Sequence, residues 1–136
     1  MAVLPDSGRA GERLRQETIG WLTTVTRGGQ AQSSPVWFAV HGDAIYIQSR
    51  PEGAKLPNIR ANNKVSFHLD SDGTGTDIVT IDGEAEILGG ASPDVRDTYL
   101  QKYERLIRER LGSTPEEMVD QYNTTVRVTP RRVRAW

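Results

Sequence analysis

Short runs of alternating apolar and polar residues dominate the chain, a pattern that predicts half-buried strands. Trp21-Leu22-Thr23-Thr24-Val25-Thr26 is dense in β-branched and aromatic residues and reads as a strand. Gly28-Gly29 makes a tight hairpin turn, and the chain returns over Ala31–Val40. In that second strand Val36, Phe38 and Val40 share one face, and Trp37 and Ala39 the other. Pro35 sits inside it and cannot donate to a ladder, so it marks an edge, a bulge or a local opening. His41-Gly42-Asp43 turns the chain into a third strand, Ala44–Gln48. A fourth follows at Lys64–Asp70, with Val65, Phe67 and Leu69 on one face. After a Gly-rich loop, Ser71–Thr76, a long strand covers Asp77–Leu88, where Gly83 marks a bend or bulge. The last strand is Thr124–Trp136. Its apolar positions change parity at Pro130, which predicts a bulge there.

Helical spacing is confined to four places. Residues 1–9 read as a loose arm. A helix over Ala10–Ile19 turns Leu14 and Ile19 inward and Arg13, Arg15, Gln16 and Glu17 outward. A short helix spans Ala54–Asn62. Ser92 caps a longer one with Pro93 at its first position, and Val95, Tyr99, Tyr103, Leu106, Ile107 and Leu111 form its apolar stripe. Gly112 ends it, and the capping box Thr114-Pro115-Glu116-Glu117 opens the fourth. Strands and helices do not alternate regularly, which argues against a doubly wound parallel sheet. The expected class is mainly β (α+β): about six antiparallel strands in a small closed or half-open barrel, with flanking helices.

Composition narrows the function. The 136 residues suit one domain, 1–136, with a core that needs no metal or disulfide. Cysteine is absent, which removes thiol catalysis and thiolate metal sites. A net charge of -1, from 17 basic and 18 acidic residues, lacks the basic excess of a general nucleic-acid binder. No apolar run suits a membrane span, and the N-terminus lacks the pattern of a signal peptide, so the expected location is cytoplasmic.

The densest candidate chemistry lies between Gln48 and Arg60. A strand ends at Ser49-Arg50, a Pro51-Glu52-Gly53 turn follows, and a helix begins with Lys55, Asn58 and Arg60 on it. Arginine offers a planar bidentate fork and lysine a point charge, a pairing suited to phosphate. Unpaired N–H groups at a helix start favour an anion as well. The competing reading is a solvated basic surface. Neither a P-loop nor a G-x-G-x-x-G occurs.

A second candidate is Gln32-Ser33-Ser34-Pro35-Val36-Trp37-Phe38. A flat ligand along this strand could use backbone groups freed near Pro35, with Trp37 as a wall; an ordinary core strand is the alternative. His41 and His68 stand far apart with no metal-binding spacing. Asp70–Gly75 faintly resembles a calcium loop, but its bidentate position falls on Ile81. No nucleophile elbow is present. Arg127, Arg131, Arg132 and Arg134 read as an exposed edge, or as a contact for an acidic ligand tail.

Three stretches together carry a family resemblance: Gln32–Phe38, Ile45–Ser49 and Ala54–Arg60. They resemble the pyridoxamine 5'-phosphate oxidase-like, FMN-binding split-barrel family, and within it the branch that uses the deazaflavin coenzyme F-420. The ending Val128–Trp136 fits that branch too. The resemblance implies a split β-barrel and a homodimer with two equivalent sites at its interface. It implies a cofactor phosphate near Ser49, Arg50, Lys55 and Asn58, and a ring along the strand that matches Ser33 to Trp37. Gln32, Pro35, Val36 and Arg60 complete the implied cofactor set, with no residue assigned to acid–base catalysis. The implied activity is hydride transfer from reduced F-420 to an unsaturated small molecule such as an enone, lactone or quinone. An FMN oxidoreductase of the same fold and a non-enzymatic cofactor carrier are the alternatives.

Overall fold

The computed structural model describes residues 3–136. Eleven elements follow in order: α1 (Gly8–Gln16), β1 (Gly20–Val25), β2 (Ala31–Val36), β3 (Ala39–His41), β4 (Ala44–Ser49), α2 (Lys55–Ala61), β5 (Lys64–His68), β6 (Val79–Leu88), α3 (Pro93–Glu109), α4 (Pro115–Gln121) and β7 (Thr124–Ala135). The seven strands form one antiparallel sheet in the order β2-β1-β5-β6-β7-β4-β3.

That order explains the shape. β2 and β3 occupy opposite ends of the sheet, yet only Trp37 and Phe38 separate them in the chain. Two linking residues span roughly 10 Å when extended. The sheet must therefore curl until its two edges almost meet, which makes an α+β split barrel. The single strand expected over Ala31–Val40 is in fact two, because the chain leaves one edge at Val36 and joins the other at Ala39. Pro35 lies on the edge strand β2, where a missing N–H breaks no inner ladder.

The bulge falls where the parity change placed it. Gly83 pairs with Pro130 and Asp82 with Arg132, so Arg131 is the extra residue. A side chain at position 83 would bring its Cβ to 2.6 Å from the Thr129 carbonyl oxygen, which is why glycine stands there. Inside the curl, Leu22, Phe38, Ile45, Ile47, Phe67, Ile81, Val126 and Val128 pack as the main core. A second cluster forms outside the barrel, where Tyr99, Tyr103 and Ile107 of α3 and Met118 of α4 cover Ala39.

Two expectations at the N-terminal end are corrected. The arm is not loose from Leu4 onward: Leu4 is buried in the main core and α1 already begins at Gly8. Met1 and Ala2 lie outside the described residues. Arg13 points inward rather than outward. Its guanidinium donates to the carbonyl oxygens of Asp70 and Asp77 and pairs with Glu17, so the loop before β6 is tied to α1 by a buried but fully partnered cation. Charge alone suggested solvent, whereas carbonyls two loops away decide the matter. Ile19 lies past the end of α1 and is half-buried. No helix among the described residues is long and apolar enough to cross a membrane.

Candidate functional site

β4 ends at Ser49, and the turn that follows is closed by the Gly53 N–H donating to the Arg50 carbonyl at 3.0 Å. Ser49 is buried, and its hydroxyl donates to the same carbonyl at 2.8 Å. A Cβ on Gly53 would stand 2.5 Å from that hydroxyl oxygen, so a larger residue there would have to push the Ser49 hydroxyl aside. Arg50 is thrown outward by the turn, and its guanidinium lies 5.2 Å from the ring centroid of Tyr122.

α2 then begins with Lys55. Its start is a poorer anion nest than the sequence suggested: the Leu56 N–H already donates to the Gly53 carbonyl at 3.1 Å, and Pro57 has none. The side chains must supply the attraction. Lys55 is half-buried, and burial holds its ammonium below the ordinary lysine value. Among the described residues, Arg50, Lys55 and Arg60 enter no ion pair. A half-dehydrated ammonium without a carboxylate gains from meeting an anion.

Asn58, one turn further on, donates to the Thr24 hydroxyl at 3.0 Å and to the Gln32 side-chain oxygen at 2.9 Å. It thereby ties α2 to β1 and β2. Ser33 is exposed on β2 and shares a 2.7 Å hydrogen bond with Thr23. Arg60 is exposed in the last turn of α2.

Pro35, Val36, Trp37 and Lys55 line one cleft of about 280 Å³. Gln48, Tyr99, Leu111, Met118 and Tyr122 complete it. The cleft runs along the seam where the barrel meets the second cluster. Its β side brings Pro35 to Trp37 against Lys55; its helical side is aromatic and apolar. Gln48 is fixed from both ends, donating to the Tyr122 carbonyl at 3.1 Å and accepting from the Thr125 hydroxyl at 2.6 Å. Burial pushes the Tyr99 phenol far above its usual range, so it is no ready acid. Of the residues expected at a site, four line the cleft. Ser49 and Arg50 stand at its turn, Gln32 and Asn58 are joined beside it, and Ser33 and Arg60 lie outside its lining.

The helical wall was missed by sequence reasoning. Tyr99 and Met118 sit on the inward faces of α3 and α4 and read as core, which they also are. Leu111 lies just beyond α3 and is 53% exposed, although its spacing assigned it to the buried stripe. Tyr122 closes α4 and belongs to no periodic pattern. The one signal available was that three of the four tyrosines, Tyr99, Tyr103 and Tyr122, fall in α3 and at the end of α4.

The family described as pyridoxamine 5'-phosphate oxidase matches residues 8–136. Among solved structures, a conserved hypothetical protein of Mycobacterium tuberculosis, Rv2991, is 26% identical over 92% of this chain and 80% of its own, with a TM-score of 0.70. An F-420 reductase, of 20% identity, also superposes with a TM-score of 0.70, over 90% of this chain and 94% of its own. HutZ, a haem storage protein of Vibrio cholerae, reaches 0.72 at 17% identity, over 91% and 90% of the two chains. The last two likenesses speak for the fold alone. No curated protein sequence matches the chain.

Proposed function

The chain belongs to the pyridoxamine 5'-phosphate oxidase family, and on that premise we propose that it is a reductase using reduced coenzyme F-420. Its acceptor is an unsaturated small molecule: an enone, a lactone or a quinone. The working form is a cytoplasmic homodimer. The observation that carries this reading is Lys55, a half-buried ammonium without a carboxylate, set in a cleft whose other wall is Pro35–Trp37.

The donor set fits a flavin-type cofactor. Lys55 and Arg50 hold its phosphate, and Asn58 and Gln32 brace the helix that carries Lys55. When bound, the reduced deazaflavin supplies the hydride. The cleft's own residues orient the ring and exclude water through Trp37, Tyr99, Met118 and Tyr122. Burial keeps the proton on Tyr99, and Lys55 would be engaged with the phosphate, so neither is assigned the role of acid.

FMN is the alternative, as the resemblance to FMN-binding split barrels implies. Titrating the purified chain with FMN and with F-420 decides between them. Tighter binding of F-420 is expected, and a yellow flavin retained through purification would overturn that preference. Turnover of an enone or quinone by the loaded protein separates an enzyme from a carrier.

A further inference from the structure

Trp37 forms part of the cleft, and a fully buried residue behind it holds it in place. Tyr103 lays its ring against Trp37 with centroids 4.4 Å apart and planes 2° from parallel. One face of the indole is thus covered, leaving the other face and the edge for the cleft.

The tyrosine is itself pinned at its hydroxyl. The oxygen accepts from the Phe38 N–H at 2.8 Å and stands within donating distance of the carbonyl oxygens of Thr18 at 2.7 Å and Phe38 at 3.0 Å. These backbone groups belong to the segment entering β1 and to the two-residue link that carries Trp37 between the sheet edges. Burial keeps the phenol protonated far beyond neutral pH, so this anchor does not titrate away. Tyr99, which lines the cleft, packs against the same ring at 5.0 Å. An ordinary core pair would bury both rings. Here Tyr103 is wholly inside and Trp37 is left half-open towards the hollow.

We infer that Tyr103, which does not itself line the cleft, is a positioning residue: it presets Trp37 as a platform on which a flat conjugated ring stacks. The inference rests on the reading of the cleft as a flavin-type site, and deepens it by separating a ring subsite on Trp37 from a phosphate subsite on Lys55. Aromatic stacking in such a pocket favours a conjugated ring over an aliphatic ligand of equal size.

Two probes isolate the two subsites in the full chain. Riboflavin and 5-deazariboflavin carry the ring without phosphate, and inorganic phosphate carries no ring. Tyr103→Leu removes the stack, and Tyr103→Phe keeps it while removing the hydroxyl. The expected result is a loss of about five- to tenfold in ring affinity for Tyr103→Leu, a smaller loss for Tyr103→Phe, and unchanged phosphate affinity for both. The near-ultraviolet circular dichroism of the stacked pair should survive in Tyr103→Phe and vanish in Tyr103→Leu. Should the leucine variant fail to fold, Trp37→Leu beside Tyr103→Phe makes the same comparison. Ring affinity that ignores both residues, or that falls together with phosphate affinity, overturns the positioning role alone. Wild-type protein that binds phosphate but neither ring overturns the flavin reading with it.

Discussion

Two groups of cations sit on this barrel, and they are treated in opposite ways. Along β6 and β7 each of three arginines meets a carboxylate: Arg127 reaches Glu86 at 2.7 Å, Arg131 reaches Glu84 at 2.6 Å, and Arg134 reaches Asp82 at 3.2 Å. Lys64 on β5 pairs with Glu84 as well. Around the turn after β4, Arg50 and Lys55 have no such partner among the described residues. Arg50 rests on the Tyr122 ring, and Lys55 is half-buried beside an apolar cleft. The hollow beside the paired ladder, about 420 Å³, exceeds the 280 Å³ of the cleft. Size therefore favours the ladder, and size alone does not make it a site. What marks the cleft is a half-buried lysine that meets no carboxylate among the described residues, held next to a surface able to pack a ring.

The sharpest way to break this contrast is to remove one cation from each region. Lys55→Ala is expected to weaken binding of FMN, F-420 and inorganic phosphate by roughly 1.5–3 kcal/mol, the range for a charged hydrogen bond, or about tenfold to a hundredfold and more. Isothermal titration gives the number directly. Riboflavin, which lacks phosphate, should lose little. Unchanged phosphate affinity would move the anion site away from the β4–α2 junction.

The junction was legible in the sequence because its signals are local. Ser49, Arg50, Gly53, Lys55 and Asn58 lie within ten residues, and a proline, a glycine and a helix start fix their order. The bulge was legible for the same reason, since the parity change at Pro130 and the glycine at position 83 each announce it. The rest depended on residues distant in sequence. Arg13 is buried because carbonyls at Asp70 and Asp77 accept from it, and no pattern in α1 reports them. The helical wall of the cleft escaped because Tyr99 and Met118 have the spacing of ordinary core. The split of Ala31–Val40 into two strands escaped because alternation continues through Val36, Phe38 and Val40 while the chain changes sheet edge.

Lys102 is a third kind of cation and sharpens the contrast. It too lacks a carboxylate, but it is spent internally: its ammonium donates to the Phe38 carbonyl at 2.9 Å and sits 3.6 Å from the Phe38 ring centroid. Burial pulls its pKa from 10.5 down to about 7, with Glu17 opposing weakly. The folded state therefore binds this proton less readily than the unfolded chain does. Between about pH 7 and 10.5 the unfolded state carries more protons, so stability rises with pH across that window. Over pH 7–9.5, before tyrosines ionise in the unfolded chain, the gain should be roughly 1–2 kcal/mol by urea titration. Lys102→Met should flatten that rise and leave phosphate affinity untouched. A fall in phosphate affinity would mean that its charge, too, belongs to the site.

The smallest effect is expected from the ladder, and it is the one that tests the contrast from the other side. Glu84 is held down to about 2 by Lys64 and Arg131, from an ordinary value of 4.5. Its contribution is therefore present above the ordinary carboxylate range and fades as pH falls from 4.5 towards 2. The pair is exposed to water, so it adds little even where it is complete. Arg131→Ala should lower the thermal midpoint by less than about 3 °C in dilute buffer, and by nothing measurable at roughly 1 M salt, where charges are screened within about 3 Å. Affinity for phosphate, FMN and F-420 should stay at the wild-type level. If Arg131→Ala instead cost as much binding as Lys55→Ala, a paired arginine would be recruiting the ligand as strongly as an unpaired lysine. The absence of a carboxylate partner would then no longer distinguish the cleft from the ladder.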